Sequence, residues 1–203
     1  MPLHLAVLLS GTGTTLQSIL DVQAAGRLDV RVVCVVCNRS ASKGMERALR
    51  AGVPALYFPL RPYTNCGASR DQYDADLAAQ IAVYRPDLVL LTGWMHILSE
   101  AFLDCFPGRI INLHPALPGE CPGTDAIRRT FETRKRGQSI RAGCMVHFVT
   151  SEPDAGPVIG QREVPLEWED SLGLFEERMH AAERELVYEV LAKFALDNGR
   201  VEP

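Results

Sequence analysis

The run from Leu3 to Leu9 is almost wholly apolar, broken only by His4, and it stops at Ser10-Gly11-Thr12-Gly13-Thr14-Thr15. A strand without polar alternation has to be buried on both faces, as in a parallel sheet covered by helices. A helical pattern (Leu16, Ile19, Leu20) follows to about Ala25, and the same alternation then repeats. Arg31 to Cys37 is a β-branched strand, and Lys43 to Ala51 a helix stopped by Gly52 and Pro54. Ala55 to Phe58 is a short third strand. The loop through Pro59, Pro62 and Gly67 reads as irregular. Asp71 to Tyr84 is a helix ending before Pro86, Leu88 to Leu91 a strand, and Ser99 to Phe106 a helix leading into a strand at Ile110 to Leu113. This grammar predicts an α/β fold with right-handed βαβ units and a mainly parallel twisted sheet flanked by helices.

Past His114 the texture changes. A Pro/Gly-rich loop over 115–123 precedes a helix near Asp125 to Lys135. Cys144 to Thr150 and Val158 to Val164 then read as an antiparallel pair around a turn carrying Asp154. A long helix from Ser171 to Leu196 is expected to stop at Asn198-Gly199. With 203 residues, 47% of them hydrophobic, and no repeat or linker, the expectation is one domain over residues 1–203.

The chemistry gathers at Asn112-Leu113-His114-Pro115. Pro115 cannot continue a central strand, so Asn112 and His114 stand at the strand's carboxyl end. Two residues apart on a pleat, they point to one side. That end of the strands is where open α/β sheets bind ligands. An amide and an imidazole there, joined by Asp154 from the later turn, make an acid/base set. The plain alternatives are a His held by its turn and a loop carboxylate. Gly11 to Thr15, between a strand and a helix, offers backbone N–H groups to an anion, with a Thr-capped tight turn as the plain alternative. It is neither a complete dinucleotide fingerprint nor a P-loop.

Other features read more simply. His147 sits in an alternating strand and is taken as structural; His4 and His180 look like surface or packing positions. His96 follows the strand before the central one and could line the same cleft. Cys34 and Cys37 lie an odd offset apart on a strand and so face opposite ways, which suits core packing better than metal. The six basic residues between Arg128 and Arg141 read as a solvated face, with a patch for a polyanionic tail as the minority reading. A net charge of −4 and a pI near 5.7 disfavour nucleic-acid partners. No apolar run reaches the roughly 18 residues of a membrane span. The start lacks an export pattern, and the scattered cysteines suit a reducing, cytoplasmic setting.

Several stretches then come in a familiar order: Ser10-Gly-Thr-Gly-Thr-Thr-Leu-Gln, Ala68-Ser-Arg-Asp-Gln-Tyr-Asp, Gly93-Trp-Met-His-Ile-Leu, Ile111-Asn-Leu-His-Pro, and Val146-His-Phe-Val-Thr with Asp154-Ala-Gly-Pro-Val-Ile. Nearly the whole chain resembles the glycinamide ribonucleotide formyltransferases, folate-dependent enzymes of purine synthesis with a Rossmann-like formyltransferase fold. The resemblance implies transfer of a formyl group from the co-substrate 10-formyltetrahydrofolate to the amine of glycinamide ribonucleotide, with no metal. It makes His114 the proton donor, Asn112 a holder of the formyl oxygen, and Asp154 the partner that favours protonated His114. Gly11, Gly13, Thr14 and Thr15 would bind the substrate phosphate, and Glu183 the ribose or nearby. Arg70, Met95, His96, Ile97, Leu98, Asn112 and Thr150 would line the folate site. The chain departs from the family at Thr14-Thr15, where Ser-Asn is usual, and at His96, where Arg is common. Asp125 stands where a His is common, and Cys144-Met145 replaces small or hydroxyl residues.

The rival readings are a formyltransferase acting on another amine, such as a sugar nucleotide, and a catalytically silent nucleotide- or folate-binding module. Methionyl-tRNA formylation and formyltetrahydrofolate hydrolysis fit less well, since those branches carry extra domains. Expected partners are small molecules only, with no nucleic acid and no membrane, in a monomer or homodimer.

Overall fold

The computed structural model describes residues 1–40 and 42–197. The element order is β1 (Leu3–Leu9), α1 (Thr14–Ala24), β2 (Val30–Cys37), α2 (Lys43–Arg50), β3 (Ala55–Tyr57), α3 (Arg61–Asn65), α4 (Arg70–Ala82), β4 (Leu88–Thr92), α5 (Glu100–Leu103), β5 (Ile110–His114), α6 (Ala126–Lys135), β6 (Gly143–Phe148), β7 (Val158–Glu163) and α7 (Leu172–Leu196). The strands form one seven-stranded sheet in the order β3-β2-β1-β4-β5-β6-β7. Strands β1 to β5 are parallel, and β6 and β7 add antiparallel. The α/β fold with its antiparallel addition is therefore as expected.

Each buried strand feeds two cores. On one face Leu5, Val7, Leu90, Ile111 and Leu113 pack with α1 and α7 through Leu16, Phe175, Leu186 and Phe194. On the other, Ala6, Leu8, Val36, Val89, Leu91 and Ile110 pack with α4 and α5 through Tyr73, Leu77, Ile81 and Phe102. Burying each large apolar side chain contributes about 1.5–3 kcal/mol, so the doubly covered sheet is the main source of stability. A register shift between Leu5 and Ala6 in the pairing with β2 swaps the facing parity of β2 midway. Cys34 and Cys37 do face opposite cores, and burial pushes the Cys34 thiol up to about 12.

The strand order reverses between β1 and β4, so the crevice at a topological switch point opens there, at the carboxyl ends of both. Ser10 spans it: its N–H donates to Gly93 O at 3.0 Å, and its hydroxyl accepts from Met95 N at 3.0 Å.

Two segments differ from expectation. The stretch expected to be irregular contains α3, with Pro62 in its first turn, where a missing N–H costs nothing. Helix α5 is shorter than the pattern over Ser99 to Phe106 suggested, because Cys105 and Phe106 tighten into i→i−3 bonds onto Phe102 and Leu103 just before Pro107. The terminus expected at Asn198-Gly199 lies outside the described residues.

Candidate active site

Asn112 and His114 emerge on the α4/α5 face of the sheet at the end of β5, as the strand period requires. The turn after β6 brings Asp154 over them. Asn112 Nδ2 lies 3.2 Å from Asp154 Oδ1, and His114 Nδ1 lies 3.5 Å from the same oxygen. An ionised carboxylate only accepts, so the Asn112 atom facing it is the amide nitrogen. Asp154 Oδ2 accepts from Gly123 N at 2.8 Å, which ties the two site loops together.

Backbone strain fixes this turn. Asp154 has φ 55°, in the left-handed region. At Gly156 a Cβ would fall 1.8 Å from Phe148 O, so only glycine allows the turn to pack on β6.

His147, taken from sequence as structural, belongs to the site. It pairs directly opposite Asn112 across β5 and β6, and its Nε2 lies 3.2 Å from Asn112 Nδ2 and 3.5 Å from Asp154 Oδ1. Its Nδ1 must donate to Phe148 O at 2.8 Å. Nε2 of the neutral ring therefore accepts from Asn112, and in the cation it donates to Asp154. Predicting this would have required the register of an antiparallel pair, which local alternation leaves open.

His114 is held from its protonated form by burial more strongly than Asp154 draws it there. Its Nε2 donates to Cys121 O at 3.1 Å, leaving Nδ1 toward Asp154. The ring is 5% exposed, and burial lowers its pKa more than Asp154 and the Cys121 carbonyl raise it. Asp154, 3.5 Å away, pulls the other way without reversing this. Burial pushes Asp154 up, but His147, the Gly123 N–H and His114 outweigh it and hold the carboxyl below its ordinary range.

At the end of β1 the cap of α1 is Gly13, with φ 69° and no side-chain hydrogen bond, so the plain Thr-capped turn is not what forms. A Cβ there would lie 2.6 Å from Gly44 Cα. The amides at the start of α1, among them those of Thr14 and Thr15, lack a side-chain acceptor, the arrangement that favours an anion. Arg47 donates to Thr12 O at 3.0 Å and to Gln17 Oε1 at 3.1 Å, bracing the turn. Glu183 is buried on α7, its carboxylate accepting from His180 Nδ1 at 2.7 Å, and this contact raises the His180 pKa. Glu183 and α1 lie on the opposite face from Asn112 and His114, so a ligand touching both sets has to cross the carboxyl edge of the sheet.

The remaining residues surround the β4–α5 loop. Met95 and Ile97, on either side of His96, are 51% and 63% exposed, while Leu98 is buried. His96 contacts Asn38 and lies edge-on to Trp94 and Tyr73, and burial lowers its pKa. Arg70 reaches the Ile97 carbonyl. Thr150 borders a cavity of about 350 Å³ with Leu103, Phe106, Ile110, Phe148 and Val149. Ile110 shares the strand and face of Asn112, so this apolar cavity adjoins the polar cluster. A larger cavity of about 460 Å³ lies between α1 and α7 and includes none of these groups. No three His, Cys, Asp or Glu among the described residues are placed to hold a metal.

A formyl transferase family model matches residues 3–191. The chain belongs to that family. This formyltransferase is 40% identical over 206 residues to the phosphoribosylglycinamide formyltransferase of Schizosaccharomyces pombe, covering 98% of this chain and 100% of the relative. It is 35% identical to the enzyme of that name from Escherichia coli, covering 98% of this chain and 90% of the relative. The solved glycinamide ribonucleotide transformylase 1 of Symbiobacterium toebii superposes with a TM-score of 0.88 at 39% identity, covering 97% of this chain and 89% of that one. The resemblance read from the motifs is confirmed.

Proposed function

We propose that the protein is a phosphoribosylglycinamide formyltransferase, which moves a formyl group from 10-formyltetrahydrofolate to the amine of glycinamide ribonucleotide in purine synthesis. The observation that carries this reading is the convergence of Asn112, His114 and Asp154 at the edge of the sheet, between an anion-ready turn and an apolar cavity. We read residues 1–203 as one formyltransferase domain, working in the cytoplasm. No helix among the described residues is long and apolar enough to cross a membrane.

The residues fit a folate. The cavity of about 350 Å³ suits a flat heterocycle, and the exposed Met95 and Ile97 offer further apolar surface. When bound, the folate supplies an activated formyl carbon. The Gly11–Thr15 turn binds the ribonucleotide phosphate and Glu183 the ribose, aiming the amine across the sheet edge at Asn112 and His114. Asp154 and His147 orient the Asn112 amide. Its N–H on His147 is the one to be handed to the formyl oxygen, where negative charge gathers as the amine attacks. His114 takes up the proton that the attacking amine loses, Asp154 steadies the ring while it is charged, and the same proton passes to the folate nitrogen as its bond to the formyl carbon breaks. Hydrogen bonds of this kind are often long without ligand and tighten in the complex.

A turnover assay with 10-formyltetrahydrofolate and either glycinamide ribonucleotide or an amino-sugar nucleotide tests the reading. Turnover only with the ribonucleotide is expected. Turnover only with the sugar nucleotide would move the chain to another branch of the family, and folate binding without turnover would make it a silent module.

A further inference from the structure

Beside the Ser10 N–H bond to Gly93 O, the loop between β4 and α5 is held to the body by three further hydrogen bonds to its backbone. Ser10 Oγ accepts from Met95 N, Arg70 donates to Ile97 O, and Asp74 Oδ2 accepts from Ser99 N at 2.8 Å. Asp74 Oδ2 also accepts from Arg70 Nε at 2.9 Å, so it fixes the guanidinium that holds Ile97. Two of these four tethers therefore run through one carboxylate. Asp74 is fully buried on α4, and Arg70 is one-third exposed.

Trp94 and Leu98 of the loop pack into the core beside α4, but its buried polar atoms are poorly matched. Trp94 Nε1, His96 Nδ1, Ser99 Oγ, Asn38 Oδ1 and Asp74 Oδ1 are buried without partners, and all five lie around this loop. Groups like these add no hydrogen bond of their own, so the loop's polar anchoring falls mainly to the backbone tethers. A buried carboxylate shared by a cation and an amide N–H is the strongest anchor present.

We infer that Asp74 is a positioning residue for folate binding: through Arg70 and Ser99 it holds Met95, His96, Ile97 and Leu98 in their binding conformation. The inference rests on the folate reading of that loop. Asp74 does not touch the reacting atoms, so its influence falls on folate affinity and not on the ribonucleotide. Arg70, expected as a folate contact, spends two of its donor groups inside the protein.

The test is Asp74→Asn, which keeps the size and an acceptor for Ser99 N–H but removes the charge that holds Arg70. Amide hydrogen exchange over 94–99 and binding of tetrahydrofolate and glycinamide ribonucleotide by calorimetry are measured on the intact protein. Loss of one charged anchor corresponds to about tenfold or more in folate affinity, with faster exchange in the loop and ribonucleotide affinity within about twofold. Unchanged exchange, or faster exchange with unchanged folate affinity, overturns the proposal. Equal loss of both affinities also overturns it, by marking a general structural role. If the variant does not fold, Arg70→Met carries the exchange test, with loosening expected around Ile97 and its absence contradicting the tether. A wild-type protein that binds no folate overturns the reading of the site itself, and this shows before any variant is compared.

Discussion

Asn112 and Asp154 are joined amide to carboxylate at 3.2 Å across 42 positions of sequence. The bond fixes which end of the Asn112 side chain faces the acid, and it draws the Asp154 turn over the end of β5. The neighbouring His147 and His114 arrange themselves around the same oxygen, Asp154 Oδ1.

Replacing Asp154 by Asn removes the charge that two histidines and an amide share. The Asn112 amide then loses its fixed orientation, and His114 loses the group that steadies its cation. A fall in kcat of about 10²–10⁴-fold is expected, with KM for both substrates changed far less. Steady-state kinetics check it, and a pure KM effect would assign Asp154 to binding alone.

Gly156→Ala places a methyl group 1.8 Å from Phe148 O, whereas a Cβ on Gly11 meets nothing within 4 Å. The first change forces the turn off β6, costing about 1–3 kcal/mol and displacing Asp154. Gly11→Ala leaves folding stability within about 0.5 kcal/mol. Denaturant unfolding of the pair, with kcat for Gly156→Ala, is the check.

Two histidines give stability opposite dependences on pH. Burial lowers the native pKa of His114 from its ordinary 6.5, so the unfolded chain takes up a proton that the native site resists. The stability this group contributes is present above 6.5 and is lost as pH falls from there through the lower native value. Glu183 raises the pKa of His180, so that contribution is present below 6.5 and is lost as pH rises through the raised value. His114→Asn flattens the acid-side decline and Glu183→Gln the alkaline-side one. Thermal unfolding across pH reads both, and an unaltered profile in either variant contradicts the assignment.

Gly13→Ala combines a left-handed φ of 69° with a contact 2.6 Å from Gly44 Cα. The turn at the start of α1 has to open, which raises KM for the ribonucleotide by about tenfold or more while KM for the folate stays put. Inhibition by inorganic phosphate, competitive with the ribonucleotide, should weaken in step.

Sequence patterns were strongest where the physics is local. The two-residue spacing of Asn112 and His114 and the stop at Pro115 placed both at one strand end, and uninterrupted apolar runs announced a doubly covered sheet. What stayed hidden depends on distant partners. His147 alternates like any strand residue until β6 pairs with β5 and sets it opposite Asn112. Whether His114 gains or loses protons depends on how burial weighs against one carboxylate, and a chain read residue by residue contains no burial. Pro62 looked like a breaker, although proline in a first turn also starts helices. Arg70 and Asp74 stand one helical turn apart, a legible pair, but their hold on the loop at Ile97 and Ser99 appears only when α4 packs beside β4.

Transfer of the formyl group onto the ribonucleotide amine should run through His114. The most direct measurement is mass spectrometry of the ribonucleotide after a single turnover with 10-formyltetrahydrofolate, in wild-type protein and in His114→Ala. Formylated product is expected from the wild type, at a rate about 10²–10⁴-fold higher than in the variant, with both ligands still bound. Equal formylation by both proteins would contradict it.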